Sequence, residues 1–429
     1  MTRRQGFAAF VRRHAAARQL VVQPRMGFPD PRKMRAGLLA TKAVPAATIG
    51  TITVDSHTRV GETARAAEAL RAGVDLNGYP IVSHGVAGNR ALLAGVLDDD
   101  FPVQVRHGSA VPQQIFAATA AAGIEASEGG PVSYCLPYGR TALADSVRNW
   151  SHSCQAFVAA PPAGPPLHLE TFGGCMLGQL CPPSLLVALS VLEAMFFVQH
   201  GIASVSVSYA QQTNREQDEQ AVRALRALAG EFLAQVDWHV VIYAYMGVYP
   251  RTPHGGESLL AEAARLAVCT GAERLIVKTT AEAHRIPTIG ENVAALNLAA
   301  EVAARTPEAS APADDSQTYA EARVLIEAVL DLHADLGQAL LIAFRRGYLD
   351  VPYCLHPDNQ GRTRSYLDAN GALRWADIGA LPLTTLVAPG RTRDVTSAEL
   401  LTSLSYMQRH FDALPAPTAQ DAIRGHADS

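Results

Sequence analysis

Short runs rich in Val, Ile and Thr recur between residues 20 and 278, each separated from the next by an Ala- and Leu-rich stretch of helical period. That alternation constrains the fold more than any other feature. A strand that returns to its own sheet through a helix does so in parallel, and parallel sheets have both faces covered. Nine strand candidates are visible: QLVVQPR, GTITVD, YPIVSH, PVQVRHG, PVSYCLP, SCQAFVAA, ASVSVSY, WHVVIYAYM and RLIVKT. A closed eight-stranded barrel needs one fewer, so SCQAFVAA is expected to be a helix end or an added strand. Helices are expected at RVGETARAAEALRAG, EQDEQAVRALRALAGEFLAQV and ESLLAEAARLAVCTG.

The predicted fold class is therefore α/β: a (β/α)8 TIM-type barrel with a C-terminal appendage. An N-terminal helical segment (1–19) is expected to cover one end of a barrel spanning 20–303. The polar run ARTPEASAPADDSQ reads as a linker (304–318), and the appendage (319–429) as a helix, TYAEARVLIEAVLDLHADLGQALLIAFRRG, then a Pro/Gly/Asp-rich meander.

Composition excludes several classes of function. The chain is 48% hydrophobic and 18% charged with a net charge of -4, which fits a large-cored cytoplasmic enzyme and gives no bulk attraction for nucleic acid. Any anion site must be local. The most apolar stretch, SLLVALSVLEAMFFVQHG, holds Glu193 in its middle and follows Pro182 and Pro183, so it reads as a buried crossover helix and not as a membrane span. Six cysteines without CxxC or zinc-ligand spacing read as reduced thiols.

The strand exits narrow the function, since barrel chemistry is carried there. Arg25 ends the first candidate, Arg59 follows the second in DSHTR, and Arg106 ends PVQVRHG beside His107. Guanidinium groups about 8 Å apart repel by about 2 kcal/mol per pair at an effective dielectric near 20, so three at one mouth call for a counter-anion. A dicarboxylate fits, because arginine grips each carboxylate through a planar fork that lysine lacks. SEGGPVSYCLPYG adds Glu128, two glycines that let the backbone approach a ligand closely, and Tyr134 and Tyr138 around Pro137. An acid beside a cationic clamp suits a ligand that also carries an ammonium group; the alternative is that Glu128 neutralises an arginine. Lys278 and Glu282, after the last strand, are either a surface pair or hydrogen-bonding groups for a polyol such as ribose. No Walker loop, dinucleotide fingerprint, HExxH, GxSxG or cobalamin-holding DxHxxG is present.

The stretches VQPRMGF, TVDSHTR, LNGYP, PVQVRHG, SEGGPVSYCLPY, ETFG with LCPPS, QDEQAVRAL, MGVYP, GAERLIVKTTAEAHRIPT and DVPYCLHPDNQGR follow one another between about residues 20 and 390. With them the chain resembles the large catalytic (epsilon) subunits of the glutamate mutase, or methylaspartate mutase, family. The resemblance implies an isomerase that interconverts L-glutamate and (2S,3S)-3-methylaspartate by a radical carbon-skeleton rearrangement dependent on adenosylcobalamin. It also implies a separate small cobalamin-binding subunit that supplies the cobalt ligand, in a cytoplasmic heterotetramer of two large and two small chains. By motif, Arg25, Arg59 and Arg106 take the substrate carboxylates with His107 beside them. Glu128 is the catalytic residue near the amino group, and Tyr134 and Tyr138 contact substrate. Gly27, Asn77, Pro137, Tyr249, Lys278, Glu282 and Ile286 fall where the family meets the cobalamin or its adenosyl group. Cys135 and HRIPT depart from the family pattern. Two other readings compete: a cofactor-independent barrel lyase or epimerase acting on an acidic amino acid, and a non-catalytic anion-binding homologue.

Overall fold

Eight parallel strands close on themselves in the computed structural model, which describes residues 4–137, 139–159, 165–176, 180–307, 316–387 and 394–415. They are β1 (Val21–Gln23), β2 (Gly50–Thr53), β3 (Val103–Arg106), β4 (Ala126–Gly129), β5 (His168–Thr171), β6 (Ser204–Ala210), β7 (Asp237–Tyr243) and β8 (Arg274–Ile276). Each pairs with its sequence neighbour from β2 to β8, and β8 pairs with β1, Val21 standing opposite Arg274. The seam between β1 and β2 is shut by a parallel bridge from Val22 to Thr48 and by the Thr53 N–H donating to Met26 O at 2.8 Å. The expected barrel is present.

The helices are α1 (Gly6–Ala16), α2 (Pro31–Lys42), α3 (Ser56–Arg59), α4 (Thr63–Arg71), α5 (Gly85–Leu93), α6 (Gln113–Ala122), α7 (Leu143–Ala159), α8 (Pro183–Gln199), α9 (Arg215–Phe232), α10 (Pro253–Thr270) and α11 (Ile289–Arg305). Beyond the barrel come α12 (Gln317–Leu330), α13 (Leu336–Arg346), an antiparallel hairpin of β9 (Arg364–Leu367) and β10 (Leu373–Asp377), then α14 (Ser397–Leu404) and α15 (Tyr406–Asp412). The expected linker falls largely on residues 308–315, outside the described residues.

Three sequence expectations are corrected. YPIVSH is not a strand: it touches the sheet only through a bridge from Tyr79 to Val54. Gly78 is pressed so close to Val54 that a Cβ would lie 2.7 Å from its carbonyl carbon, and Pro80 has no N–H to continue a ladder. PVSYCLP is a turn, with Tyr134 N–H donating to Gly130 O at 3.2 Å and Leu136 N–H to Val132 O at 3.0 Å. The strand precedes it, at Ala126–Gly129. The long C-terminal helix is two helices, because Asp335 starts a new one by accepting from Gln338 N at 2.8 Å. The described part of SCQAFVAA, residues 153–159, is the end of α7, as allowed for, and HLET supplies a strand that its composition concealed.

SLLVALSVLEAMFFVQHG forms α8, the buried crossover helix. It is apolar all round because α9 and α12 cover it outside the sheet. Among the described residues no helix is long and apolar enough to cross a membrane.

At the N-terminal end of the barrel, α1 is a plug. Phe7 is fully buried, its ring stacked 4.6 Å from His168, with the Arg274 guanidinium 4.9 Å from its centroid. Truncating this ring exposes a buried cation to a cavity. Phe7→Ala is expected to lower stability by about 3–5 kcal/mol, measured by urea unfolding.

Candidate active site

Charged side chains fill the bore where aliphatic layers are usual in this fold. Arg274, at the start of β8 and wholly buried, donates from Nε to His239 Nε2 at 2.8 Å and from Nη1 to Gln23 Oε1 at 2.6 Å. Its Nη2 donates to Glu170 on β5 and, at 3.1 Å, to Ser206 Oγ. Glu170 is bonded in turn to the hydroxyl of Tyr243, which lies 2.7 Å from Glu128 Oε2. That same Glu128 oxygen accepts from Arg106 Nε at 2.6 Å, and the other accepts from the Tyr134 hydroxyl. A ladder of Arg274, Glu170, Tyr243, Glu128 and Arg106 thus climbs from the plugged end to the strand exits.

Alternating charge makes this burial tolerable, since each carboxylate has a guanidinium beside it. Burial opposes the charge on Arg106, but Glu128, Tyr243 and Tyr134 outweigh it and hold its pKa well above the usual value. Burial, then Glu128 and Glu170, drives the Tyr243 phenol well up. Its one proton serves one carboxylate at a time. His168 and His239, stacked at 5.0 Å, are kept neutral by burial and by Arg274.

At the exits, Arg106 commits Nε to Glu128, and among the described residues its terminal nitrogens make no hydrogen bond. Arg59, at the end of α3, lies along Gly108, where a Cβ would meet its Cδ at 3.0 Å, and its Nε is buried without a partner among the described residues. His107 accepts from Ser109 N at 3.1 Å and stacks on Trp150; burial, with Arg106 adding to it, pulls its pKa to about 3, so it is neutral. Arg25 stands elsewhere, on the β1–β8 side, where Nη1 donates to Glu282 Oε2 at 3.1 Å. The structure therefore groups Arg106, Glu128 and Tyr134 directly, sets Arg59 against the chain two residues past Arg106, and pairs Arg25 with Glu282. Glu128 does neutralise an arginine.

The two glycines after Glu128 have a different use from the one expected. A Cβ on Gly129 would lie 2.4 Å from the Tyr134 ring, and one on Gly130 would lie 2.0 Å from a Glu193 carboxylate oxygen. They admit neighbouring side chains, not a ligand. Gly27 likewise has a packing reason, since a Cβ there would lie 2.3 Å from Thr53 O.

A second neighbourhood lies between the exits of β7 and β8, around a cavity of about 590 Å³ lined by Val248, Tyr249, Lys278 and Glu282. Lys278 Nζ sits 4.4 Å from the Tyr249 ring centroid; burial, then Arg25, lowers its pKa to about 8. Glu282 also accepts from Thr279 N at 3.1 Å, closing a capping box. The loop carrying Tyr249 is held from outside by α15: Gln408 donates to Tyr249 O at 3.0 Å and Asp412 accepts from Thr252 N at 2.9 Å. Ile286 is half exposed, Pro137 is partly buried, and exposed Asn77 accepts from Ser56 N at 2.9 Å. Tyr138 lies outside the described residues.

Sequence reasoning missed Glu170, Tyr243 and Arg274. A signal existed: an arginine opening a strand, RLIVKT, and an acid inside a strand, HLET, are each too costly to bury alone.

Fold and site together define a (β/α)8 barrel whose buried charges run up the bore to Arg106 and Glu128 at the C-terminal mouth, the end where such barrels carry their chemistry. The family described as methylaspartate mutase E chain matches residues 1–398, and the chain belongs to that family. It is similar to the glutamate mutase epsilon subunit of Escherichia coli O157:H7, at 28% identity over 77% of this chain and 72% of that one. The epsilon subunit of Desulfitobacterium hafniense is 30% identical over the same shares, and that of Halobacterium salinarum 31% identical over 86% of this chain and 79% of that one.

Removing one rung of the ladder strands its partner. Arg274→Met is expected to cost about 3–5 kcal/mol by leaving Glu170 buried without its cation. Adding Glu170→Gln should recover more than half of that loss in a denaturation double-mutant cycle.

Proposed function

We propose that the chain is the catalytic subunit of an adenosylcobalamin-dependent glutamate mutase, an isomerase that interconverts L-glutamate and (2S,3S)-3-methylaspartate in the cytoplasm. It works with a small cobalamin-binding subunit, two large chains with two small. The observation that carries the reading is Arg106: a buried guanidinium fixed through Nε by Glu128, whose terminal nitrogens make no hydrogen bond among the described residues, at the mouth of a barrel of this family. Two parallel N–H donors there match one carboxylate. The Nε of Arg59, without a partner among the described residues, supplies a further donor for an anionic group.

The residues between β7 and β8 fit an adenosyl group. Lys278 and Glu282 offer an ammonium and a carboxylate to ribose hydroxyls, Tyr249 gives an aromatic wall, and exposed Val248 and Ile286 give an apolar lip. Those residues, with Gly27, Asn77 and Pro137 near the mouth, would hold adenosylcobalamin. Bound, it supplies an organic radical able to take hydrogen from an unactivated C–H bond, which no ordinary side chain can do. The exposed lip, together with exposed Val60 beyond Arg59, suits coverage by the small subunit.

The chain's own residues hold the substrate while its skeleton rearranges. Arg106 and Arg59 fix the carboxylates, with Arg25 approaching from the β1 side, and fixed ends keep the separating parts of the substrate in register. Glu128 meets the ammonium. Tyr134 and Tyr243 hold that carboxylate in one orientation, and His107, neutral and packed against Trp150, adds no competing charge. The apolar surround of Phe172 and Trp150 keeps water and stray hydrogen donors away.

An anaerobic assay with adenosylcobalamin and L-glutamate, with and without a cobalamin-binding small chain, tests the reading by NMR of 3-methylaspartate. Product is expected only with both; glutamate consumed without either, to something other than 3-methylaspartate, favours the cofactor-independent lyase or epimerase. Arg106→Lys keeps the charge and loses the fork, so kcat/KM is expected to fall roughly 10- to 100-fold with the fold retained. Lys278 loses its proton as pH rises through about 8. Affinity for adenosylcobalamin is therefore expected to weaken between pH 7 and pH 9, and Lys278→Met should remove that slope in equilibrium binding to the assembled subunits.

A further inference from the structure

Glu193 lies in the middle of α8, wholly buried in a helix that is otherwise almost entirely apolar. Among the described residues it forms no ion pair. Its Oε1 accepts from Val132 N at 3.0 Å and from Ser133 N at 2.8 Å, and its Oε2 accepts from the Ser133 hydroxyl at 2.8 Å. All three donors belong to the turn after β4, and Gly130, which opens that turn, leaves the space the carboxylate occupies. Burial pushes the carboxyl up to about 7 in spite of the Ser133 and Val132 donors. A turn of this size can be packed with apolar side chains, so a buried acid without a cation is a costly way merely to fill space. What an acid gives is short, charge-assisted bonds that fix the first N–H groups of a turn in direction as well as distance.

The same turn carries Tyr134. Its hydroxyl is bonded to Glu128, and its ring is wedged against Gly129, with Phe172 at 5.1 Å and His107 at 5.1 Å. Movement of the turn would therefore move the group that orients Glu128.

We propose that Glu193 is a positioning residue for the active site: acting from α8, it locks the Gly130–Leu136 turn so that Tyr134 holds Glu128 in a single orientation. The proposal rests on the reading of Glu128 as the group that meets the substrate ammonium, but its test does not depend on turnover alone.

Glu193→Gln keeps the volume and an oxygen for both N–H donors while removing the charge, so it is the variant expected to fold. With 3-fluorotyrosine at position 134, the assembled enzyme is expected to give one narrow fluorine resonance, and Glu193→Gln to broaden or split it. In the glutamate assay, Glu193→Gln should lower kcat/KM about tenfold, as weakened charge-assisted bonds would. In a Tyr134→Phe background it should lower it no further. An unchanged resonance, or a loss that multiplies with that of Tyr134→Phe, overturns the proposal and leaves Glu193 a structural cap. A resonance that responds in an enzyme that does not turn over glutamate supports the positioning role while sinking the proposed function.

Discussion

Two arginines and two glutamates share the bore, and much else in the structure follows from keeping them balanced. Arg274 and Glu170 form the lower pair, Glu128 and Arg106 the upper, and Tyr243 joins them. None of the four is more than 4% exposed, so no water shell can replace a missing partner. The plug follows from this: Phe7 of α1 lies over Arg274 and seals the lower pair from solvent. So does the neutrality of His168 and His239, which must sit beside a cation without adding to its charge. A barrel with an aliphatic bore would be indifferent to its N-terminal segment.

The same network explains what the sequence did and did not disclose. Strands whose outward face meets apolar helices announced themselves through Val and Ile: ASVSVSY and WHVVIYAYM became β6 and β7, the longest in the sheet. β4 and β5 did not, because ASEG and HLET spend their inward positions on Glu128, His168 and Glu170. Val132 and Tyr134 in PVSYCLP, just past β4, drew the strand assignment to the wrong place. Motif order located Arg106, Glu128 and Tyr134, which the fold brings together. Spacing alone could not reveal Tyr243 or Arg274, whose roles depend on strands far away in sequence and adjacent only around the closed barrel.

Glu128 and Glu282 also change what a dicarboxylate would find at the mouth. Read along the chain, three arginines at one mouth need an anion to relieve their repulsion. In the fold, Glu128 already answers Arg106 and Glu282 answers Arg25. Most of the repulsion is therefore relieved without a ligand, and the proposed carboxylate would gain from the geometry of the guanidinium nitrogens that make no hydrogen bond among the described residues more than from net positive charge. On the proposed reading selectivity would then rest on shape, a planar two-oxygen group at a fixed angle being favoured over a simple anion of equal charge.

The proposed fork on a carboxylate would need the strand exits held still, and the groups that hold them lie outside the sheet, on a barrel helix. On its inner side α8 touches three consecutive exits. Glu193 holds the turn after β4, and Ser190 Oγ lies 2.7 Å from Thr171 Oγ1 of β5 and accepts from Ser208 N of β6 at 2.9 Å. At its start, Ser184 donates to Glu321 of α12 at 2.6 Å, and Trp375 of the hairpin donates to the same carboxylate at 3.1 Å. A continuous set of bonds thus runs from the C-terminal appendage through α8 to the turn that carries Tyr134. α12 and the hairpin are thus the outer wall of the candidate active site: they cover a helix too apolar to face water, and that helix carries the polar groups bonded to the exits of β4, β5 and β6.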